Sequence, residues 1–231
     1  MSAAAEGSGA MAAAGNGRIE AIVSDFGGVL TTPLLHAFAA LQEAQGIPLE
    51  QFGKGMARAA ELAGGVQPLF ELEKGTITEA EFTAQLSAAM SDVLGREVDF
   101  DGFGDAFFAA LHPNEELFTY LRELHGRGYR MAILTNNVRE WEPLWRAMLP
   151  IDEIFELVVD SAFVGMRKPD PAIYELLLSR LGLPAGSTVF IDDLQVNCEA
   201  AGALGMNAVQ FLSTEQTIAA VEALLDGGGA A

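Results

Sequence analysis

The sequence is poor in positive charge and nearly empty of cysteine. Lys and Arg together number 13 against 32 Asp and Glu, a formal net charge of -19 at pH 7. An excess of that sign repels a nucleic-acid backbone and an anionic membrane, so neither is an expected partner. One local cationic spot still suffices for a small anionic ester. Cys198 is the single cysteine and has no intrachain disulfide partner. That suits a reducing cytoplasm, the expected location. No apolar run approaches the ~20 residues of a membrane-spanning helix. Residues 1–17 carry no Lys or Arg and no Leu-like apolar stretch, so no secretory signal is expected there. Their Ala/Gly/Ser content predicts a disordered tail, as does the composition of residues 227–231. No internal repeat is found, and nothing fixes the oligomeric state.

What is present is apolar and regularly patterned. Half of the 231 residues are hydrophobic, enough for one large domain or a core with a small insert. Short apolar strands are predicted at Ile19–Ser24, Arg130–Leu134, Glu156–Val159, Thr188–Ile191 and Ala208–Phe211. Helices are predicted at Pro113–Arg127, Asp170–Leu181 and Gln195–Leu204, with Asp170 as N-cap and Pro171 in the first helical position. Strand–helix alternation predicts an α/β fold, a doubly wound and mainly parallel sheet. Residues 33–111 break the alternation. Amphipathic stretches at Leu34–Gln45, Leu49–Leu62, Thr78–Leu94 and Gly102–Leu111 predict a helical cap, with a capping box at Thr78–Glu81. The predicted core is 18–32 plus 112–226.

Polar clusters follow the predicted strands: Asp25 after the first, Thr135-Asn136 after the second, Asp192-Asp193 after the fourth, with Lys168 in a later loop. Ligands bind outside the carboxyl ends of strands in an open parallel sheet, so these groups should converge. Three neighbouring carboxylates repel one another unless a cation joins them, and hard oxygen ligands suit Mg²⁺. Lys168 and the Thr135 hydroxyl would receive an anionic substrate. Asp25 is then placed as a nucleophile towards phosphorus.

The order Asp25-Phe-Gly-Gly-Val-Leu, Leu-Thr135-Asn136-Asn, Lys168-Pro-Asp-Pro and Ile-Asp192-Asp193 resembles motifs one to four of the haloacid-dehalogenase superfamily. The resemblance runs from about residue 19 to 225, and residues 33–111 look like the cap of such enzymes. It implies that Asp25 forms an aspartyl-phosphate. It also implies that Thr135 and the Asn136 backbone hold the phosphoryl group and that Lys168 bridges nucleophile and phosphate. Asp193 would be the direct metal ligand, Asp192 would assist, and the carbonyl of Gly27 would complete the set with Asp25. Family phosphatases usually carry a second Asp two residues after the nucleophile. Here that place is Gly27, and losing a general acid–base typically costs ~10²–10⁴-fold.

Three readings follow. The first is a Mg²⁺-dependent hydrolase of a small phosphorylated metabolite. The second is a binding or regulatory module with weak or no turnover. The third is a haloacid dehalogenase, which would not need the retained Asp192-Asp193 pair. Among the other residues, His36 is within sequence reach of the site but reads as a surface or partly buried histidine, and His112 and His125 read as structural. Asn197 reads as orienting, Glu71 and Glu73 as solvated, and Trp141 with Trp145 as a packing stripe.

Overall fold

The computed structural model of the chain describes residues 18–37, 39 and 46–227. The tail at 1–17, residues 228–231 and much of the predicted 34–45 helix lie outside that set.

Five strands form one sheet: β1 (Ala21–Ser24), β2 (Arg130–Thr135), β3 (Leu157–Asp160), β4 (Thr188–Asp192) and β5 (Asn207–Gln210). The order is β3-β2-β1-β4-β5 and every pairing is parallel. Each predicted strand is present with ends moved by at most two residues. Side chains alternate across the sheet. Ile22, Met131, Ile133, Val189 and Ile191 join one apolar cluster, while Val23, Ala132, Leu134 and Phe190 join another on the opposite face. Both faces are dry, which is why the strands read as unbroken apolar runs.

The predicted crossover helices are present at Glu115–Gly126, Pro171–Leu181 and Gln195–Ala203. Asp170 caps the second of these by accepting from Ala172 N at 3.0 Å. The last helix, Thr214–Gly227, corrects the predicted start of a flexible tail at 227.

Residues 34–37 and 39 are helical, and helices follow at Leu49–Leu62, Pro68–Glu73, Glu79–Leu94 and Phe103–Ala109. The capping box forms as read, with Thr78 Oγ1 accepting from Glu81 N and Glu81 accepting from Thr78 N. This helical segment leaves and rejoins the sheet through one doorway. Thr31 and Pro113 form an antiparallel bridge, and Thr32 N donates to His112 O at 2.8 Å. Phe82, Leu86, Phe103 and Phe107 from the segment share the apolar cluster of the sheet face below. Among the described residues, no helix is long and apolar enough to cross a membrane.

Candidate active site

The parallel sheet brings the carboxyl ends of β1, β2, β3 and β4 to one edge, and the polar residues that follow them meet there. Asp25 sits just past β1. Its backbone N donates to Ile191 O at 2.8 Å, which fixes it beside the end of β4. Phe26 N and Lys168 Nζ both donate to Asp25 Oδ1, at 2.7 and 2.8 Å, and so set the plane of the carboxylate. Lys168 Nζ also donates to Asp192 Oδ2 at 2.7 Å. Asp192 Oδ1 accepts from Leu194 N and Asn197 Nδ2, both at 2.9 Å. Asn197 is thus an orienting residue, as read from the sequence. Asp192 is fully buried and both its oxygens are engaged by the protein, whereas Asp193 is only partly buried.

Gly28 is required by this arrangement. Its φ is +78°, and a Cβ there would stand 2.6 Å from Asp193 Oδ2. The turn is closed by Gly28 N donating to Thr31 Oγ1 at 3.0 Å. Asn136 uses its side chain on the loop that carries Lys168. Its Nδ2 donates to Lys168 O at 3.0 Å and its Oδ1 accepts from Lys168 N at 2.8 Å. This pair of bonds holds the lysine against the end of β2. Thr135 differs from its neighbours. Its hydroxyl is buried and has no hydrogen-bond partner among the described residues. A buried polar group without a partner costs about 1–3 kcal/mol, so a ligand oxygen that pairs with it would recover that loss.

The electrostatics are one-sided. One carboxylate oxygen each from Asp25, Asp192 and Asp193 lie within 4.8 Å of one another. Burial pushes the Asp25 carboxyl up to about 7, with Lys168 pulling it down and Asp192 pushing it further up. Burial, then the Asp192 charge, also raises Asp193. For Lys168, burial alone would lower the ammonium, but Asp25 and Asp192 more than reverse this and hold it above its ordinary value. Three carboxylates face one ammonium, and a divalent cation would balance the remainder. The donor set is hard oxygen, which fits Mg²⁺. The Cys198 thiol lies beneath, its Sγ 3.5 Å from Asp192 O, and burial pushes it up to about 12, so it stays protonated.

Beside Gly27 and Asn136 the helical segment roofs a cavity of about 230 Å³. Leu34 packs over Gly27, so that a Cβ built on the glycine would meet Leu34 Cδ2 at 3.2 Å. That contact is tight, so the end of the Leu34 side chain would have to give slightly for any side chain at position 27. Glu73 stands on the cavity wall and corrects the solvated reading. It is 17% exposed, pairs with Arg167 Nε at 2.6 Å, and is pushed up by burial and pulled partly back by Arg167. Arg167 in turn lies 4.0 Å over the Phe70 ring. Glu71 is partly buried as well, paired with Lys74. His36, His112 and His125 are exposed. Trp145 is packed fully inside, while Trp141 does more than pack, since it also walls the cavity.

The sequence reading missed Asp160 at the end of β3. Its Oδ1 caps a short helix by accepting from Ala162 N at 3.0 Å, and its buried Oδ2 has no partner. Burial pushes this carboxyl up to about 7. A carboxyl with a folded-state pKa above its unfolded value binds a proton on folding, so its contribution to stability falls as pH rises between the two. Asp160→Asn keeps the cap and removes the titration. Its advantage over wild type should grow by roughly 2–3 kcal/mol between pH 5 and pH 8, about two pKa units' worth. Thermal unfolding of both proteins at several pH values checks this, and a difference independent of pH would refute it.

The haloacid dehalogenase-like hydrolase family, as a sequence profile, matches residues 19–205. Acyl-CoA dehydrogenase family member 10 of Mus musculus is 29% identical over 213 residues, 89% of this chain and 19% of that protein. A phosphatase of Mycobacterium tuberculosis is 28% identical over 228 residues, 91% of this chain and 99% of that one. The chain spans less than half the length of several curated relatives it matches. In fold it is similar to a HAD family enzyme from Bacteroides thetaiotaomicron solved with magnesium and inorganic phosphate. The TM-score is 0.64 at 22% identity, over 83% of this chain and 93% of that one.

Proposed function

The chain belongs to the haloacid dehalogenase-like hydrolase family, and from that premise we propose that it is a Mg²⁺-dependent phosphatase of a small phosphorylated metabolite. The observation that carries the reading is the buried Thr135 hydroxyl without a partner among the described residues, at a strand end beside Asp25 and Lys168. Asp25, Lys168, Asp192 and Asn197 are all hydrogen-bonded around it, so the unpaired Thr135 hydroxyl suits a phosphoryl oxygen. Phosphatase relatives and the phosphate-bound structural neighbour support the same class.

Asp25 attacks phosphorus through a carboxylate oxygen. An oxygen–phosphorus bond forms as the bond to the leaving oxygen breaks, and the leaving group departs with the electron pair. Thr135 and the Asn136 backbone hold the phosphoryl oxygens, and Lys168 offsets charge on Asp25 and the phosphoryl group. Water then attacks the phosphorus of the aspartyl-phosphate, freeing phosphate and restoring Asp25. Asp25, Asp193, the Gly27 carbonyl and, through its hydrogen-bonded carboxylate, Asp192 would hold Mg²⁺. When bound, the metal supplies charge screening between the attacking carboxylate and the phosphate. Asp193 is suited to direct contact because Asp192 is already engaged on both oxygens.

The test is phosphate release from a panel of phosphate esters and acyl phosphates with Mg²⁺ and with EDTA. Release that needs Mg²⁺ is expected. Equal rates in EDTA would overturn the metal requirement. The Leu34-covered Gly27 favours a second reading, a module that binds phosphate without turnover, and absence of release across the panel would select it.

A further inference from the structure

We propose that the substrate is an aryl phosphate, whose uncharged aromatic leaving group fills the cavity over Gly27. This rests on the phosphatase reading and goes on to name the substrate. The cavity opens beside Gly27, two residues from Asp25, and beside Asn136, whose backbone would hold a phosphoryl oxygen with Thr135. Its walls are Leu34, Phe52, Met56, Phe82, Phe107 and Trp141, among other apolar side chains. Phe107 and Trp141, both on that wall, stack on each other with centroids 5.5 Å apart. At about 230 Å³ the space exceeds the roughly 150 Å³ apolar cavity that admits benzene, and leaves room for a small ring substituent.

Most polar atoms on the wall are already engaged, the Asn137 amide nitrogen, one Glu73 oxygen and Trp141 Nε1 excepted. Asn136 spends both amide atoms on Lys168. The Thr31 hydroxyl accepts from Gly28 N and donates to Thr32 O, both at 3.0 Å. Asn137 Oδ1 accepts from Val138 N at 2.9 Å, and Glu73 is bonded to Arg167. Trp141 Nε1 lacks a partner but lies against Gly104. A sugar or polyol in this space would bury hydroxyls without partners, each at a cost in binding. The second strand of the argument is chemical. Position 27 carries no acid, and Leu34 covers it, so the leaving oxygen departs without a proton from that side. A phenolate tolerates this far better than an alkoxide. The aromatic walls and the absent acid therefore select the same class.

The test is kcat/KM with Mg²⁺ for phenyl, 4-methylphenyl, 4-ethylphenyl and 4-butylphenyl phosphate, which share a leaving-group acidity and differ in apolar size. Included beside them are 4-(hydroxymethyl)phenyl phosphate, isosteric with the ethyl compound, and octyl, glycerol and glucose phosphates. Rates should rise about fourfold per methylene while the cavity fills, then stop rising. The hydroxymethyl compound should fall at least about tenfold below its ethyl isostere. Met56→Trp, which fills the cavity, should lower the rate for 4-butylphenyl phosphate more than for phenyl phosphate, with circular dichroism confirming its fold. A rate flat with ring substitution, or glycerol or glucose phosphate turned over fastest, overturns the aryl proposal and leaves the phosphatase reading standing. Octyl phosphate above all aryl esters replaces the aromatic occupant by an aliphatic one and overturns it too. No phosphate from any compound, acetyl phosphate included, overturns both.

Discussion

Asp25→Asn will lower Mg²⁺-supported phosphate release by about 10⁴-fold or more, a loss of at least about 5 kcal/mol of transition-state stabilisation. The substitution is nearly isosteric. Its remaining carbonyl oxygen can still accept from Phe26 N and Lys168 Nζ, which now bond Oδ1. What it loses is the proposed nucleophile and one negative charge from the group of three carboxylates. Mg²⁺ should therefore bind more weakly as well. The metal-free fold should be retained, because burial already works against the charge on Asp25 and pushes its carboxyl up to about 7. Initial rates, Mg²⁺ titration and thermal unfolding of wild type and variant check the three parts. A rate equal to wild type would remove Asp25 from the chemistry altogether.

Gly27→Asp will raise turnover of alkyl phosphates by about 10²-fold or more, in the range that a general acid–base group contributes. The backbone permits the change, since among these two adjacent glycines only Gly28 has a positive φ. The new Cβ meets Leu34 Cδ2 at 3.2 Å, and the end of that flexible side chain has to give by a few tenths of an ångström. The gain should depend on the leaving group, large for octyl phosphate and small for phenyl phosphate. A plot of log rate against leaving-group pKa should therefore flatten in the variant. If both slopes are the same while the variant is folded and active, the missing proton donor is not what limits the wild-type enzyme.

The strands and the order of the site motifs were readable because both are local. A parallel strand covered on both faces is a short apolar run, and the residue ending it is polar where it meets a ligand. Asp160 ends β3 under the same rule that picked out Asp25 and Asp192, and the expected strand simply stopped one residue early, at Val159. The helix at Pro68–Glu73 escaped because six residues make fewer than two turns, too few for a helical period to show. Glu73 looked solvated because its partner Arg167 lies 94 residues further along. The cavity was beyond reach for a related reason. Its wall draws on Leu34, Phe52, Phe82, Phe107 and Trp141, from separate segments whose apolar residues read only as core.

The doorway between Thr31 and Pro113 has a consequence for how such a protein can diversify. Two adjacent, hydrogen-bonded chains are the covalent tether of the whole roof, so in chain topology the roof is a cassette that can be exchanged without re-registering any strand. Packing argues the other way. Phe82, Phe103 and Phe107 face the cavity and also belong to the apolar cluster on the sheet face that the roof covers. An exchanged cassette that admits a new ligand also rewrites part of the core. New specificities should then arise most readily in variants that begin with stability to spare.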